Sequence, residues 1–250
     1  MNEHNGRPAI ELRQVHKAFG PQTVLKGVDL TVRPRETLAV LGKSGAGKSV
    51  LLKLIIGLQK PDAGTIEIHG QATADLPPDA MDALRMKVGY LFQEGALYDS
   101  LTLEENVAFP LRHHQDQLSE ADLRKRAHEL LAVVGLEKDA AKRPAEISGG
   151  MKKRAGLARA LALEPDILLF DEPTSGLDPI TAGEIEALML KLKKEREMAS
   201  VLVTHDVHGA RAVADRVALI NDGAIVAEGT FEELAASRDP FVSQFLGKDR

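Results

Sequence analysis

Three observations predict an α/β fold built on a largely parallel sheet. Short apolar runs alternate with helical patterns through the last third of the chain, the order that lays helices on the faces of such a sheet. A continuously apolar run, Thr37-Leu38-Ala39-Val40-Leu41, leads into a glycine-rich loop and then an apolar helix. The middle third changes to helical periodicity, as a helical subdomain inserted between parts of the sheet would. A chain of 250 residues can bury a full core without covalent staples, as one large domain or two small ones.

The elements follow in order. Ile10 to Val15 and Val28 to Val32 alternate as half-buried strands, and Thr37 to Leu41 reads as a strand buried on both faces. Ser49 to Leu58 reads as a helix stopped near Gly57 and Pro61, and Thr65 to Gly70 returns to strand alternation. Ser119 is an N-cap with Asp122 three residues on; Leu123, Ala127, Leu130, Leu131 and Val134 then share one helical face up to Gly135. Met151 to Leu163 is a second helix, ended by Glu164-Pro165. Asp166 to Phe170 and Val201 to Thr204 are buried strands. Asp178-Pro179 opens a helix through Ile185, Leu188 and Leu192, and Asp206 caps another. Val217 to Ile220 and Ala224 to Ala227 flank Asn-Asp-Gly as a hairpin, and Thr230 with Glu233 forms a capping box. No internal repeat, low-complexity tract or linker interrupts this order.

Composition removes several function classes. The chain has no cysteine, which excludes disulfides, thiolate metal sites and cysteine nucleophiles. Lys and Arg number 32 against 37 Asp and Glu, and the net charge of −5 argues against wrapping nucleic acid by charge. Seven Phe, two Tyr and no Trp make a poor stacking platform for single strands. No run approaches the ~18 apolar residues of a spanning helix, and Met1 to Pro8 lacks the apolar core of a secretory leader. The expectation is a soluble, cytoplasmic globular chain.

Three motifs carry chemistry. Gly42-Lys43-Ser44-Gly45-Ala46-Gly47-Lys48-Ser49 matches the phosphate-loop pattern between a buried strand and a helix. Its glycines let backbone N–H groups turn around phosphate oxygens, the helix start attracts the same anion, Lys48 reaches the β and γ phosphates, and Ser49 can ligate Mg2+. Asp171-Glu172 follows a buried strand; there Asp171 suits Mg2+ and Glu172 is placed to deprotonate an attacking water. Ser148-Gly149-Gly150 opens a helix as a second anion site. Two anion sites in one chain suggest one ATP held between two copies. His113-His114 are adjacent on a helix and cannot face one metal, so both read as exposed.

With the phosphate loop, Gln93, Ser148-Gly149-Gly150, Asp171-Glu172, Ser175-Gly176-Leu177-Asp178 and His205 in that order, the chain resembles the ATP-binding cassette (ABC) ATPases of transporters over nearly its whole length. The resemblance implies a P-loop NTPase with a RecA-like core, an N-terminal antiparallel β-subdomain and an inserted helical subdomain. Residues 1–93 and 163–250 would form the nucleotide-binding core and 94–162 the helical part. It implies ATP and Mg2+ as cofactors and two cassettes packed head to tail around two ATPs. Gly42, Ser44, Gly45, Ala46, Gly47, Lys48, Ser49 and Val50 would cradle phosphate. Ser49, Gln93 and Asp171 would serve Mg2+, with Gln93 also sensing the membrane subunit. Ser148, Gly149 and Gly150 would complete the partner's γ-phosphate site, and Asp178 would carry contacts across the dimer. Glu172 resembles the general base, and His205 the histidine on the γ-phosphate. Phe19 matches the aromatic that stacks on adenine; the competing reading is a core ring. Met151 stands where most cassettes have glutamine, Lys43 is an additional cation, and Val50 replaces a common threonine.

Finer features resemble the phospholipid-transport branch, the maintenance-of-lipid-asymmetry (Mla) type that works with MCE-domain proteins. They are Ile147 to Arg154 with Met151, Phe92-Gln93-Glu94-Gly95-Ala96-Leu97-Tyr98, and Asn106 to Arg112. This resemblance implies integral permease subunits, an MCE-domain lipid-binding subunit, a small STAS-domain protein and a place at the cytoplasmic face of the inner membrane, with no nucleic-acid partner. Leu97 and Tyr98 fall where the family docks a permease coupling helix, or else belong to the helical core. The alternatives are an importer of amino acids or another small solute, and a non-transport cassette ATPase. For a nucleic-acid role, the basic stripe, tandem cassettes and long insertions are all missing.

Overall fold

The computed structural model describes residues 7–115 and 117–247, so Met1 to Gly6, read above for a leader, lie outside it. Three strands open the chain, β1 (Ile10–Phe19), β2 (Gln22–Val32) and β3 (Thr37–Leu41), followed by α1 (Lys48–Ile55). β4 (Ala63–Ile68), β5 (Gln71–Ala72), α2 (Pro78–Met86) and β6 (Val88–Leu91) come next. A helical stretch contains α3 (Leu103–His114), α4 (Glu120–Val133), 3-10 turns at Glu137–Asp139 and Pro144–Glu146, and α5 (Gly149–Ala160). The alternating part is β7 (Ile167–Asp171), α6 (Pro179–Arg196), β8 (Ala199–Thr204), α7 (Val207–Val213), β9 (Arg216–Asn221) and β10 (Ala224–Gly229). α8 (Phe231–Ala236) and α9 (Pro240–Phe245) follow.

The strands form two sheets. β2-β1-β4-β5 is antiparallel throughout, and β10-β9-β3-β8-β7-β6 is parallel except at the β10–β9 hairpin. The parallel sheet is buried on both sides, and strand alternation divides its side chains between two cores. Leu38 and Val40 of β3, Leu169 of β7 and Val201 of β8 pack with the antiparallel sheet and α1. Ala39 and Leu41 of β3, Phe170 of β7 and Leu202 of β8 pack with α3 to α6. The helical stretch is thereby fixed on one face and the antiparallel sheet on the other.

Several boundaries differ from the sequence reading. α1 stops at Ile55 rather than Leu58, because Gly57 turns the chain at φ 71°. α5 starts two residues before Met151, with Ser148 as its cap, and ends at Ala160. β1 and β2 run to 10 and 11 residues, longer than the short strands expected. α2, β5, β6 and α9 have no counterpart in the sequence reading, and of α3 it places only His113-His114 on a helix. The caps at Ser119, Asp178, Asp206 and Thr230 are as expected, each side chain accepting from the first turn of its helix.

Candidate active site

Parallel pairing brings the motifs to one edge. β3, β8 and β7 are neighbours, with Leu41 opposite Thr204 and Val203 opposite Asp171. The phosphate loop, His205 and Asp171-Glu172 therefore leave the carboxyl ends of three adjacent strands, where open α/β sheets hold their ligands. β6 lies beyond β7, and its exit delivers Gln93 to the same rim.

A cavity of about 670 Å3 opens there, lined by Phe19, Gly42, Lys43, Ser44, Gly45, Gly47, Lys48, Ser49, Val50, Gln93, Glu172 and His205, with Val24 and Phe245. The loop requires its glycines. A Cβ on Gly42 would stand 2.6 Å from Ile220, and Gly47, at φ 97°, would drive one to 2.8 Å from Leu25. Gly47 is also the N-cap of α1 and gives it no side-chain cap, and the first turn carries no acid. The leading N–H groups and the positive end of the helix are thus available to phosphate. Ala46 is half-buried and packs beneath the loop against the core.

Lys48 is 6% exposed, and its Nζ donates to the carbonyls of Gly42 (2.8 Å) and Lys43 (3.1 Å). The same Nζ lies 3.5 Å from Glu172 Oε1. Glu172 Oε2 accepts from Thr204 Oγ1 at 3.1 Å and pairs with His205 Nδ1 at 2.9 Å. The carboxylate is thus buried but held by polar groups facing the phosphate loop, while the His205 side chain remains 63% exposed. An oriented carboxylate on this rim can take a proton from a water bound in the cavity.

Ser49 Oγ donates to Asp171 Oδ1 at 2.7 Å, so a hydroxyl and a carboxylate stand side by side. Among the described residues no group of three or more His, Cys, Asp or Glu side chains gathers as a metal cluster. A hard cation that takes one or two protein oxygens and completes its shell with phosphate and water fits that donor set. Tyr90 OH donates to the other oxygen, Asp171 Oδ2, at 3.0 Å. Burial, with the Asp171 charge, pushes the Tyr90 phenol far up, so it stays a donor. Tyr90 was missed in the sequence: it sits on β6 and meets Asp171 through the β6–β7 pairing.

Phe19 is 43% exposed at the cavity mouth, with Lys17 Nζ 5.4 Å from its ring centre, so the competing reading as a core ring is set aside. Phe245 of α9 lines the same cavity and has its ring centre 5.9 Å from that of Phe241; no motif marked it. Ser148, Gly149, Gly150 and Asp178 do not line the cavity. They form a second corner, where a Cβ on Gly150 would meet Thr181 Cγ2 at 2.3 Å. Asp178 caps α6 through Ile180 and Thr181, and the Thr181 hydroxyl bond, with those backbone bonds, holds its carboxyl below the usual range. Ser148 Oγ accepts from Met151 N at 3.2 Å. His113 and His114 are exposed, as expected, with His113 edge-on to Phe109.

Comparison with known proteins agrees with this geometry. The family model described as ABC transporter matches residues 25–175. A Mycobacterium tuberculosis protein named probable ribonucleotide transport ATP-binding protein mkl is 42% identical over 242 residues, 97% of this chain and 67% of its own length. The methionine import ATP-binding protein MetN of Rhizobium johnstonii is 43% identical over 220 residues, 88% of this chain and 60% of its own length. The chain thus spans about two thirds or less of these relatives. Among solved structures, a dimeric post-hydrolysis state of the cassette MJ0796 with ADP and Pi superposes with TM-score 0.82 at 37% identity, covering 88% of this chain and 98% of that one. CbiO1 of Clostridium perfringens, part of the ABC transporter complex cbiONQ, superposes with TM-score 0.83 at 28% identity, covering 97% of both chains.

Proposed function

The chain belongs to the ABC transporter family, an ATP-binding and ATP-hydrolysing cassette that uses Mg2+, and from that premise we propose that it drives a phospholipid transporter. Residues 1–93 and 163–250 form the nucleotide-binding core in this reading, and 94–162 the helical subdomain. The observation that carries the ATPase part is the single cavity that gathers Lys48, Ser49, Gln93, Glu172 and His205. Lys48 and the loop N–H groups bind phosphate, Glu172 takes the proton of the attacking water, and His205 holds Glu172 while facing the γ-phosphate. When bound, Mg2+ supplies charge neutralisation of the β and γ oxygens. Ser49 and Asp171 would hold it, with Gln93 lining the same cavity. Ser148, Gly149 and Gly150 lie in the second corner and act on the ATP of a second copy, with Asp178 at the dimer seam.

Membrane work is assigned to separate permease subunits, since no helix among the described residues is long and apolar enough to cross a bilayer. Their docking site is a groove of about 400 Å3 beside Gln93, lined by Tyr90, Phe92, Tyr98, Phe109, Pro110 and Arg159. Tyr98 is 47% exposed and its ring centre stands 4.7 Å from that of Phe109, which favours the interface reading of this residue over the core one. Docked there, the cassette works at the cytoplasmic face of the inner membrane. The lipid assignment rests on the Met151 and Gly95-Ala96-Leu97-Tyr98 features, with an MCE-domain subunit and a small STAS-domain protein as further partners. The relatives named for ribonucleotide and methionine transport favour a second reading, a small-solute importer. Purification from the native membrane in mild detergent separates the two. Co-purifying phospholipid and an MCE-domain protein are expected, whereas a permease with a solute-binding protein and no lipid would overturn the lipid assignment.

A further inference from the structure

Lys153 is the buried cation that the scheme above leaves unused. It lies on α5, five residues past the Ser148 cap, and is 5% exposed. Its Nζ donates to the Glu172 carbonyl at 3.0 Å, the Ser175 carbonyl at 2.7 Å and Ser175 Oγ at 3.2 Å. An ammonium has three N–H groups, and each finds an acceptor here, as burial of a cation requires. All three acceptors belong to one turn, the segment that follows β7.

That turn needs holding. Glu172 adopts φ 48°, the left-handed region that a non-glycine residue keeps only when its surroundings over-determine it. Its carbonyl accepts from Ser175 N at 3.2 Å and from Ser175 Oγ at 3.0 Å as well as from Lys153. The backbone of Glu172 sets the direction of its carboxylate toward Thr204, His205 and Lys48. Burial lowers the Lys153 ammonium from its ordinary value, partly offset by the charges of Glu172 and Glu94. The same helix begins with Ser148-Gly149-Gly150, and further along it Arg159 donates to the carbonyls of Gly95 and Ala96, just after Gln93.

We propose that Lys153 is a positioning residue for hydrolysis: through the Glu172–Ser175 turn it fixes the direction of the Glu172 carboxylate and ties it to α5, the helix whose start is read as facing a partner's ATP. The proposal rests on the reading of Glu172 as the general base. Lys153 does not line the cavity that gathers the phosphate loop and Glu172. Its loss therefore acts on the rate of the chemical step and leaves nucleotide binding in place.

The test compares Lys153→Met, Lys153→Arg, Glu172→Gln and the double variant Lys153→Met/Glu172→Gln in the purified chain with Mg2+ and ATP. Single-turnover hydrolysis by Lys153→Met is expected to fall about 10- to 100-fold, the scale of a roughly 1 Å misplacement. Its ATP Kd stays within about threefold, and Lys153→Arg recovers part of the rate. The double variant is expected to hydrolyse no more slowly than Glu172→Gln alone, because a base that is absent cannot be misplaced. Lys153→Gln, which retains a donor, takes the place of Lys153→Met should that variant fail to fold. A slow Glu172→Gln with a wild-type rate in Lys153→Met overturns the role of Lys153. So does a Lys153→Met defect that multiplies fully onto Glu172→Gln, which marks general damage. A wild-type rate in Glu172→Gln alone overturns the base assignment instead.

Discussion

The starts of α1 and α5 both open on glycines, and neither first turn carries an acid, yet they are finished differently. α1 has Gly47 at its cap and no side-chain acceptor at all. α5 has Ser148, whose hydroxyl accepts from Met151 N. The helices that only fold are built otherwise: α3, α4 and α8 close capping boxes and carry acidic residues in their first turns. A carboxylate at a helix start stabilises the helix but repels a phosphate. α2 carries Asp79 in its first turn, and α6, α7 and α9, whose first turns are also acid-free, are capped by Asp178, Asp206 and Asp239. Among the described helices α1 and α5 alone lack a carboxylate at both cap and first turn, which fits the two proposed anion sites. The uncapped one fits a site that one chain completes alone, and the hydroxyl-capped one fits a site satisfied within the monomer until a second copy brings ATP.

The largest expected effect separates binding from chemistry at the α1 site. Glu172→Gln leaves the loop, Lys48 and Ser49 untouched but removes the proton acceptor. Turnover should drop about 10²- to 10⁴-fold with ATP affinity retained. Steady-state phosphate release and equilibrium nucleotide binding check the two halves of that statement. If affinity falls in step with rate, the α1 site is not the self-sufficient half described here.

Next in size is a lesion at the α5 site. In Gly150→Val the new Cβ must compete with Thr181 Cγ2, only 2.3 Å away. The α5–α6 corner should then shift. Binding of ATP by the single chain should survive, while ATP-driven dimerisation and turnover fall about 100-fold, the cost of losing preorganised donors to a transferring group. Light scattering with and without ATP reads the first, and an ATPase assay the second. A variant that dimerises normally and hydrolyses at full rate would remove the second anion site from the scheme.

A smaller effect tests the support behind the metal oxygens. Tyr90→Phe deletes the hydroxyl on Asp171 Oδ2 and leaves the Ser49 contact in place. Groups that orient a metal ligand are worth about 10-fold or more in metal affinity. The Mg2+ concentration for half-maximal hydrolysis should therefore rise about 10-fold, with little change at saturating Mg2+.

What the sequence made legible was local. The caps at Ser119, Asp178, Asp206 and Thr230, the phosphate loop and the acid pair after β7 each declare themselves within a few neighbouring residues. Alternation of strand and helix indicated a largely parallel sheet, but not its six-stranded order β10-β9-β3-β8-β7-β6. The Tyr90 bond to Asp171 spans 81 residues, and the Thr204 bond to Glu172 spans 32. No periodicity encodes such pairs, because they exist only once β6, β7 and β8 lie side by side. Lys153 hid for another reason: in Lys152-Lys153-Arg154 it reads as part of a solvated basic face, and only the turn after β7 shows that the middle cation is buried. α3 was legible and overlooked, since Thr102 and Glu105 form a capping box. The end of α1 was overextended because Leu58 continues the apolar pattern past the glycine that stops the helix.

The smallest effect concerns the base of the nucleotide, where the α1 side is built from two distant parts of the chain. Phe19 comes from the end of β1 and Phe245 from α9, and both line the cavity. Removing an aromatic that stacks on a base costs about 1–3 kcal/mol, so Phe19→Ala should raise the ATP Kd about 10-fold. Phe245 is half-buried against Phe241 and its own helix, and Phe245→Ala should raise the Kd only about twofold. Fluorescent-nucleotide titration distinguishes the two. Because every base offers a π-face, stacking tolerates exchange of the purine, and GTP should lose affinity with ATP in parallel in Phe19→Ala. Equal losses from the two variants would make α9 a full wall of the base site rather than its edge. An unchanged Kd in Phe19→Ala would move the base off β1 and leave the phosphate loop as the part of the cavity that sets affinity.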